Sequence, residues 1–172
     1  MESKKDRVIS ILVHNRAGVL MRVVGLFSRR GFNIESLSVG TTENPKLSRI
    51  TIALICDRTA LEQIKRQVEK LIDVIKVFEM QENYSVKREL LIIKMGCSEE
   101  TRGKILELCN IFKAKVVDAK PDAMSIQIIG DFDKIKSFIT LSEPYGIIEL
   151  VRTGITAIER GSRALANIEM EN

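Results

Sequence analysis

One order of apolar runs, met twice, constrains this chain more than any other feature. Val8 to His14 is nearly continuous in apolar residues, with Ile9, Ile11 and Val13 on one face, the pattern of a central strand covered by helices. Asn15-Arg16-Ala17-Gly18 interrupts it. Leu20, Val23, Val24 and Phe27 then recur at helical spacing up to Gly31, which predicts a helix reaching about Arg30. Phe32 to Thr41 and Leu47 to Cys56 read as a strand pair around Asn44-Pro45, the second strand rich in β-branched residues. A further helix starts at Asp57 or Thr59, the latter at capping-box spacing from Glu62, and carries the stripe Leu61, Ile64, Val68 and Leu71. Asp73 to Glu79 closes the set as a strand.

Gln81 to Lys87 is polar and aperiodic, and the same order then begins again. Glu89 to Met95 is a strand, Ser98 caps a helix lined by Ile105, Cys109 and Phe112, and Lys115 to Ala119 and Met124 to Ile129 flank a turn at Pro121-Asp122. Asp131 caps a helix carrying Ile135, Phe138 and Ile139, and Ile147 to Arg152 follows the Pro144-Tyr145-Gly146 turn. Each βαββαβ set predicts a four-stranded antiparallel sheet with both helices on one face. The expected fold class is therefore α+β, two ferredoxin-like domains: residues 1–80, a linker at 81–88, and residues 89–172 with a C-terminal tail. No residue-level identity links the halves, so the topology is repeated without a demonstrable duplication.

Composition removes several functions. Of 172 residues, 45 % are hydrophobic, enough to fill real cores, and 27 basic against 23 acidic side chains leave +4, too little for a chain built mainly to coat nucleic acid or membrane. An RNA-reading sheet needs exposed aromatics on its central strands, and Val8 to Val13 and Ser48 to Ile55 contain none. Soft-metal transfer needs paired thiolates in the first strand-to-helix loop, which holds Asn15, Arg16 and Ala17 instead. No segment is left over for a DNA-reading helix-turn-helix. Cys56, Cys97 and Cys109 are far apart and odd in number, and read as thiols in a reducing compartment. The apolar stretch before His14 is too short for a signal peptide or a spanning helix, so the cytoplasm is expected. His14 stands without a second histidine or a nucleophile, Glu99 and Glu100 suit the dipole of a helix start, and Arg22, Arg29 and Arg30 read as a solvated helix face.

The Asn15–Gly18 loop carries the best candidate chemistry. Where a strand meets a helix N-terminus, free backbone N–H groups suit a carboxylate. Gly18 lets a small anion approach the backbone, Asn15 can accept from an ammonium group, and Val19 or Leu20 can touch an aliphatic side chain. A free amino acid has those three groups. The same residues also suit a bare tight turn at Gly18 with an Asx-turn at Asn15. Asn33, just past Gly31, can reach the same loop if the first helix folds back.

The run Ile11-Leu12-Val13-His14-Asn15-Arg16-Ala17-Gly18-Val19-Leu20, with Gly25-Leu26-Phe27-Ser28-Arg29-Arg30-Gly31-Phe32-Asn33-Ile34-Glu35-Ser36-Leu37, resembles an ACT domain. More narrowly it resembles the small regulatory subunits of acetohydroxyacid synthase, also called acetolactate synthase. Pro45-Lys46-Leu47-Ser48-Arg49-Ile50-Thr51, Leu71-Ile72-Asp73-Val74 and the tail Arg152-Thr153-Gly154-Ile155-Thr156-Ala157-Ile158-Glu159-Arg160-Gly161 extend the likeness over the whole length. The resemblance implies a cytoplasmic, non-catalytic partner that activates a large catalytic subunit of branched-chain amino-acid synthesis and confers feedback inhibition by valine. Thiamine diphosphate, magnesium and FAD are then expected on that large subunit and no cofactor on this chain. It further implies a homodimer of side-by-side ACT domains with valine at their interface, held by Asn15, Gly18 and Asn33 and lined by Ala17, Val19, Leu20 and Ile34. The Thr42 to Lys46 loop and the helix-one arginines are candidate contacts to the large subunit. The competing expectation is a stand-alone amino-acid-sensing ACT protein that regulates a different enzyme.

Overall fold

The computed structural model describes residues 5–162. Six elements make the first unit: β1 (Lys5–His14), α1 (Val19–Arg29), β2 (Ser36–Thr41), β3 (Leu47–Cys56), α2 (Arg58–Val68) and β4 (Val74–Glu79). Its sheet has the order β2-β3-β1-β4, all neighbours antiparallel. Alternation along β1 sends Ile9, Ile11 and Val13 to the helix side, where they meet Val23 and Phe27 of α1 and Leu61, Ile64 and Val68 of α2 in one buried cluster. Burying each such side chain contributes about 1.5–3 kcal/mol, so this face is what holds both helices down.

The second unit repeats the plan with β5 (Ser85–Gly96), α3 (Glu99–Phe112), β6 (Lys115–Ala119), β7 (Ala123–Gly130), α4 (Phe132–Ser142) and β8 (Ile147–Arg152), in the order β6-β7-β5-β8. Leu91, Ile93 and Met95 of β5 pack on Ile105, Cys109 and Phe138, and the Phe112 and Phe138 rings meet edge to face at 5.3 Å. Ser98 and Asp131 cap their helices as expected, Ser98 in a reciprocal box with Thr101.

Two expectations are corrected, and of the two caps expected for α2 the structure selects Asp57. The start of α2 is capped by Asp57, whose carboxylate accepts from Ala60 N at 2.8 Å; Thr59 lies inside the helix and Glu62 pairs with Lys65 instead. The strand expected from Phe32 begins only at Ser36, because Phe32 N still donates to Phe27 O and the Phe32 and Ile34 side chains turn under α1 into the core. The segment expected as a linker is structured: Glu82–Tyr84 is a 3₁₀ turn and β5 already starts at Ser85, whose hydroxyl donates to Gln81 O at 2.6 Å.

The tail also has a fold of its own. The chain divides into one compact unit ending at Val86, which takes back the segment from Ile155, and another spanning Lys87–Gly154. Ile155 N donates to Ser36 Oγ and Ile155 O accepts from Ser38 Oγ, at 3.3 and 2.9 Å, while Arg49 donates to Ala157 O at 3.1 Å. Ala157, in the short strand β9 (Thr156–Glu159), is buried with Val8, Ala53 and Met80 on the helix-free face of the first sheet. Residues 155–159, expected with the second domain, thus form a strap on the first.

Candidate effector site

The junction between β1 and α1 is built around a glycine because the backbone there is left-handed. Gly18 sits at φ +81° as the N-cap of α1, and no side chain caps this helix. Val19 N makes a long 3.4 Å contact to Arg16 O, and the N–H groups of Ala17, Gly18, Leu20 and Met21 donate to no group among the described residues. A helix start with four free donors beside a residue lacking Cβ is a notch shaped for an anion of carboxylate size. Ala17 is exposed, Val19 is buried and Leu20 is half-buried against the core, so an apolar wall stands next to these donors.

Asn15 is fixed by the β2–β3 hairpin and not by a local Asx-turn. Its main-chain N donates to Lys46 O at 2.7 Å and its side-chain amide to Pro45 O at 3.0 Å. The amide oxygen is thereby left as an acceptor, with no donor bonded to it among the described residues. His14, half-buried, donates its main-chain N to Asp73 O, the part of a strand-end residue.

Asp73 and Arg22 complete the rim, and neither stood out in the sequence. The Asp73 carboxylate is buried and pairs with the Arg22 guanidinium, while Arg16 lies 3.9 Å away. A Cβ built on Gly18 would meet Arg22 Nη1 at 3.6 Å, so the same guanidinium flanks the notch. Arg22, expected as part of a solvated face, is exposed and is in addition tied to the residue that precedes β4. The available signal was the Leu71-Ile72-Asp73-Val74 stretch: a carboxylate directly before a buried strand needs a cation.

The structure does not bring Asn33 and Ile34 to this notch within one chain. Ser36 lies opposite Ala53, Ala53 opposite Val8, and Leu47 opposite His14. The start of β2 is therefore level with Val8, six residues or about 20 Å from the His14 end of β1. Asn33, exposed and bonded to Glu35 at 2.6 Å, and Ile34, half-buried, sit at that far end because α1 runs away from the notch instead of folding back. A surface groove of about 700 Å³ between α1 and α2 contains none of the residues expected at the site. Among the described residues no cluster of three or more His, Cys, Asp or Glu side chains is placed to hold a metal ion, and no helix is long and apolar enough to cross a membrane.

Comparison with known proteins covers both units. Residues 9–76 match the family described as the AHAS small subunit-like ACT domain, and residues 88–161 match that described as the small subunit of acetolactate synthase. A protein of Archaeoglobus fulgidus named "Probable acetolactate synthase small subunit" is 52 % identical over 155 residues, covering 90 % of this chain and 97 % of its own. The acetolactate synthase small subunit of Mycolicibacterium smegmatis is 46 % identical over 157 residues, covering 91 % and 92 %. The crystal structure of the acetolactate synthase small subunit from Thermotoga maritima superimposes with a TM-score of 0.84 at 38 % identity, over 92 % of this chain and 99 % of that one. With both units matched and relatives this similar along nearly their full lengths, the chain belongs to the family of acetolactate synthase small subunits.

Proposed function

We propose that this chain is the regulatory subunit of an acetolactate synthase, working in the cytoplasm, without catalytic chemistry of its own. It activates a separate large subunit, which carries thiamine diphosphate, magnesium and FAD, and makes that enzyme sensitive to valine. The observation that carries this reading is the small-subunit match over both units. The free donors around Gly18 favour an effector with a carboxylate, the Asn15 amide oxygen favours an ammonium group, and Val19 and Leu20 favour an aliphatic side chain.

The separation of Asn33 from Gly18 supports a site shared by two copies. β2 is an edge strand, bonded to β3 on one side only, with Val39 exposed. Antiparallel pairing of two β2 edges, a two-fold contact, sets the Ser36 end of one copy beside the Thr41 end of the other. Thr41 is opposite Ser48, as is Val13, so that end is level with the notch. Asn33 and Ile34 of one copy then approach Asn15, Ala17, Gly18, Val19 and Leu20 of its partner.

The test is acetolactate formation by purified large subunit with and without this chain and valine. Stimulation, lowered by valine, is expected. Acetolactate formation by the chain alone would overturn the non-catalytic role, and an unchanged valine response in Asn15→Ala or Asn33→Ala would remove the site. Mixing those two variants should restore part of the response, since a mixed pair keeps one complete site; no recovery would argue against a site split between copies.

A further inference from the structure

We infer that the groove between α1 and α2 docks an acidic segment of the catalytic subunit. The inference rests on the reading that this chain acts on a separate enzyme, and it names the surface used. Leu26, Phe32 and Ile64 lie along the groove between the helices, and Arg30, Arg66 and Lys70 stand exposed at its rim against one carboxylate, Glu69. None of these three cations makes an ion pair among the described residues, although six ion pairs occur elsewhere in them and the neighbouring Lys65 is neutralised by Glu62. A second depression, about 520 Å³, shares Arg66 and adds Arg58 together with Glu62, the carboxylate already paired with Lys65.

The physics selects the occupant. A concave surface whose rim carries three cations against one carboxylate raises the local concentration of negative charge and steers its approach. About 700 Å³ accommodates several side chains of an extended segment. A second copy of this chain is a poor fit, because a two-fold contact here would bring Arg30, Arg66 and Lys70 against like charges. The walls also connect to the proposed effector site: Phe32, inside the groove, immediately precedes Asn33. Effector held at Asn33 and partner held at Phe32 therefore act on one short connection between α1 and β2, giving binding at either place a route to the other.

The experiment is a full-length chain carrying Arg30→Glu, Arg66→Glu and Lys70→Glu, titrated against purified large subunit at about 50 and about 300 mM salt. A second variant, Lys104→Glu with Lys136→Glu, reverses exposed charges on α3 and α4 as a control. The concentration of the triple variant needed for half-maximal stimulation should rise at least about tenfold, and its salt dependence should flatten, while its oligomeric state and valine binding in isolation stay those of the parent. Stimulation at parental concentrations, an equal loss in the control variant, or loss of self-association in the triple variant would each overturn the docking site. If the parent chain itself stimulates nothing, the regulatory reading fails and the docking site with it, a result told apart by parent and variant behaving alike.

Discussion

Single residues set the local chemistry through backbone shape and burial. Gly18 keeps its left-handed turn without strain, whereas any side chain there costs roughly 1 kcal/mol through its backbone conformation alone, since a Cβ would meet Arg22 only at ordinary contact distance. Cys56 and Cys109 illustrate burial: desolvation pushes both thiols above their ordinary value of 9.0, with Arg7 pulling Cys56 partly back and Asp57 and Glu79 adding to the rise. In the unfolded chain these thiols lose protons from about pH 9, while in the folded chain they keep them. The folded state then binds more protons, so their contribution is complete below that pH and is lost as pH rises through the folded values. The urea midpoint should therefore fall between pH 8 and pH 10, and fall less in a Cys56→Ala, Cys109→Ala variant; equal slopes would show that the thiols do not matter. Native alkylation should label the half-exposed Cys97 well before either of them.

Elements are held by a few long-range pairs in addition to their apolar faces. Glu89 of β5, 2 % exposed, takes two bonds from Arg152 of β8, at 2.8 and 2.6 Å. Arg152→Ala leaves a buried carboxylate without its cation and should cost about 2–3 kcal/mol in chemical denaturation, with Arg152→Lys recovering less than half, because an ammonium cannot make the forked contact. A loss under about 0.5 kcal/mol would mean that water replaces the guanidinium. The contrast between this pair and the strands it joins explains what the sequence discloses. Strands such as Leu47–Cys56 and Ile147–Arg152 have the expected bounds because their period and flanking turns are local properties. The pairing of Arg22 with Asp73 and the brief β9 depend on partners tens of residues away, and the late start of β2 on Phe32 turning back to Phe27, none of which periodicity encodes. For the candidate site, the β1–α1 half was legible from Gly18 and its neighbours. The distance to Asn33 was not, since only strand register shows how far the start of β2 lies from the His14 end of β1.

At the scale of the molecule, the chain leaves its first unit at Val86 and re-enters it at Ile155. The strap has few atoms, yet it covers Val8, Ala53 and Met80 and ties Ser36 and Ser38 of the edge strand. Ala157→Asp places a charge in that apolar contact and should destabilise the first unit by about 2–4 kcal/mol, read as faster amide exchange in β1 and β3. Exchange equal to that of the parent would mean that the strap is dispensable for this face. Val8 and Ala157 are thus neighbours separated by most of the polypeptide. On a ribosome adding about 5–20 residues per second, the interval between making Val86 and making Ile155 is roughly 3–14 s. Throughout that interval the earlier-made half waits with one face of its sheet unroofed, so this is the stage of biogenesis at which a nascent chain of this design most needs shielding.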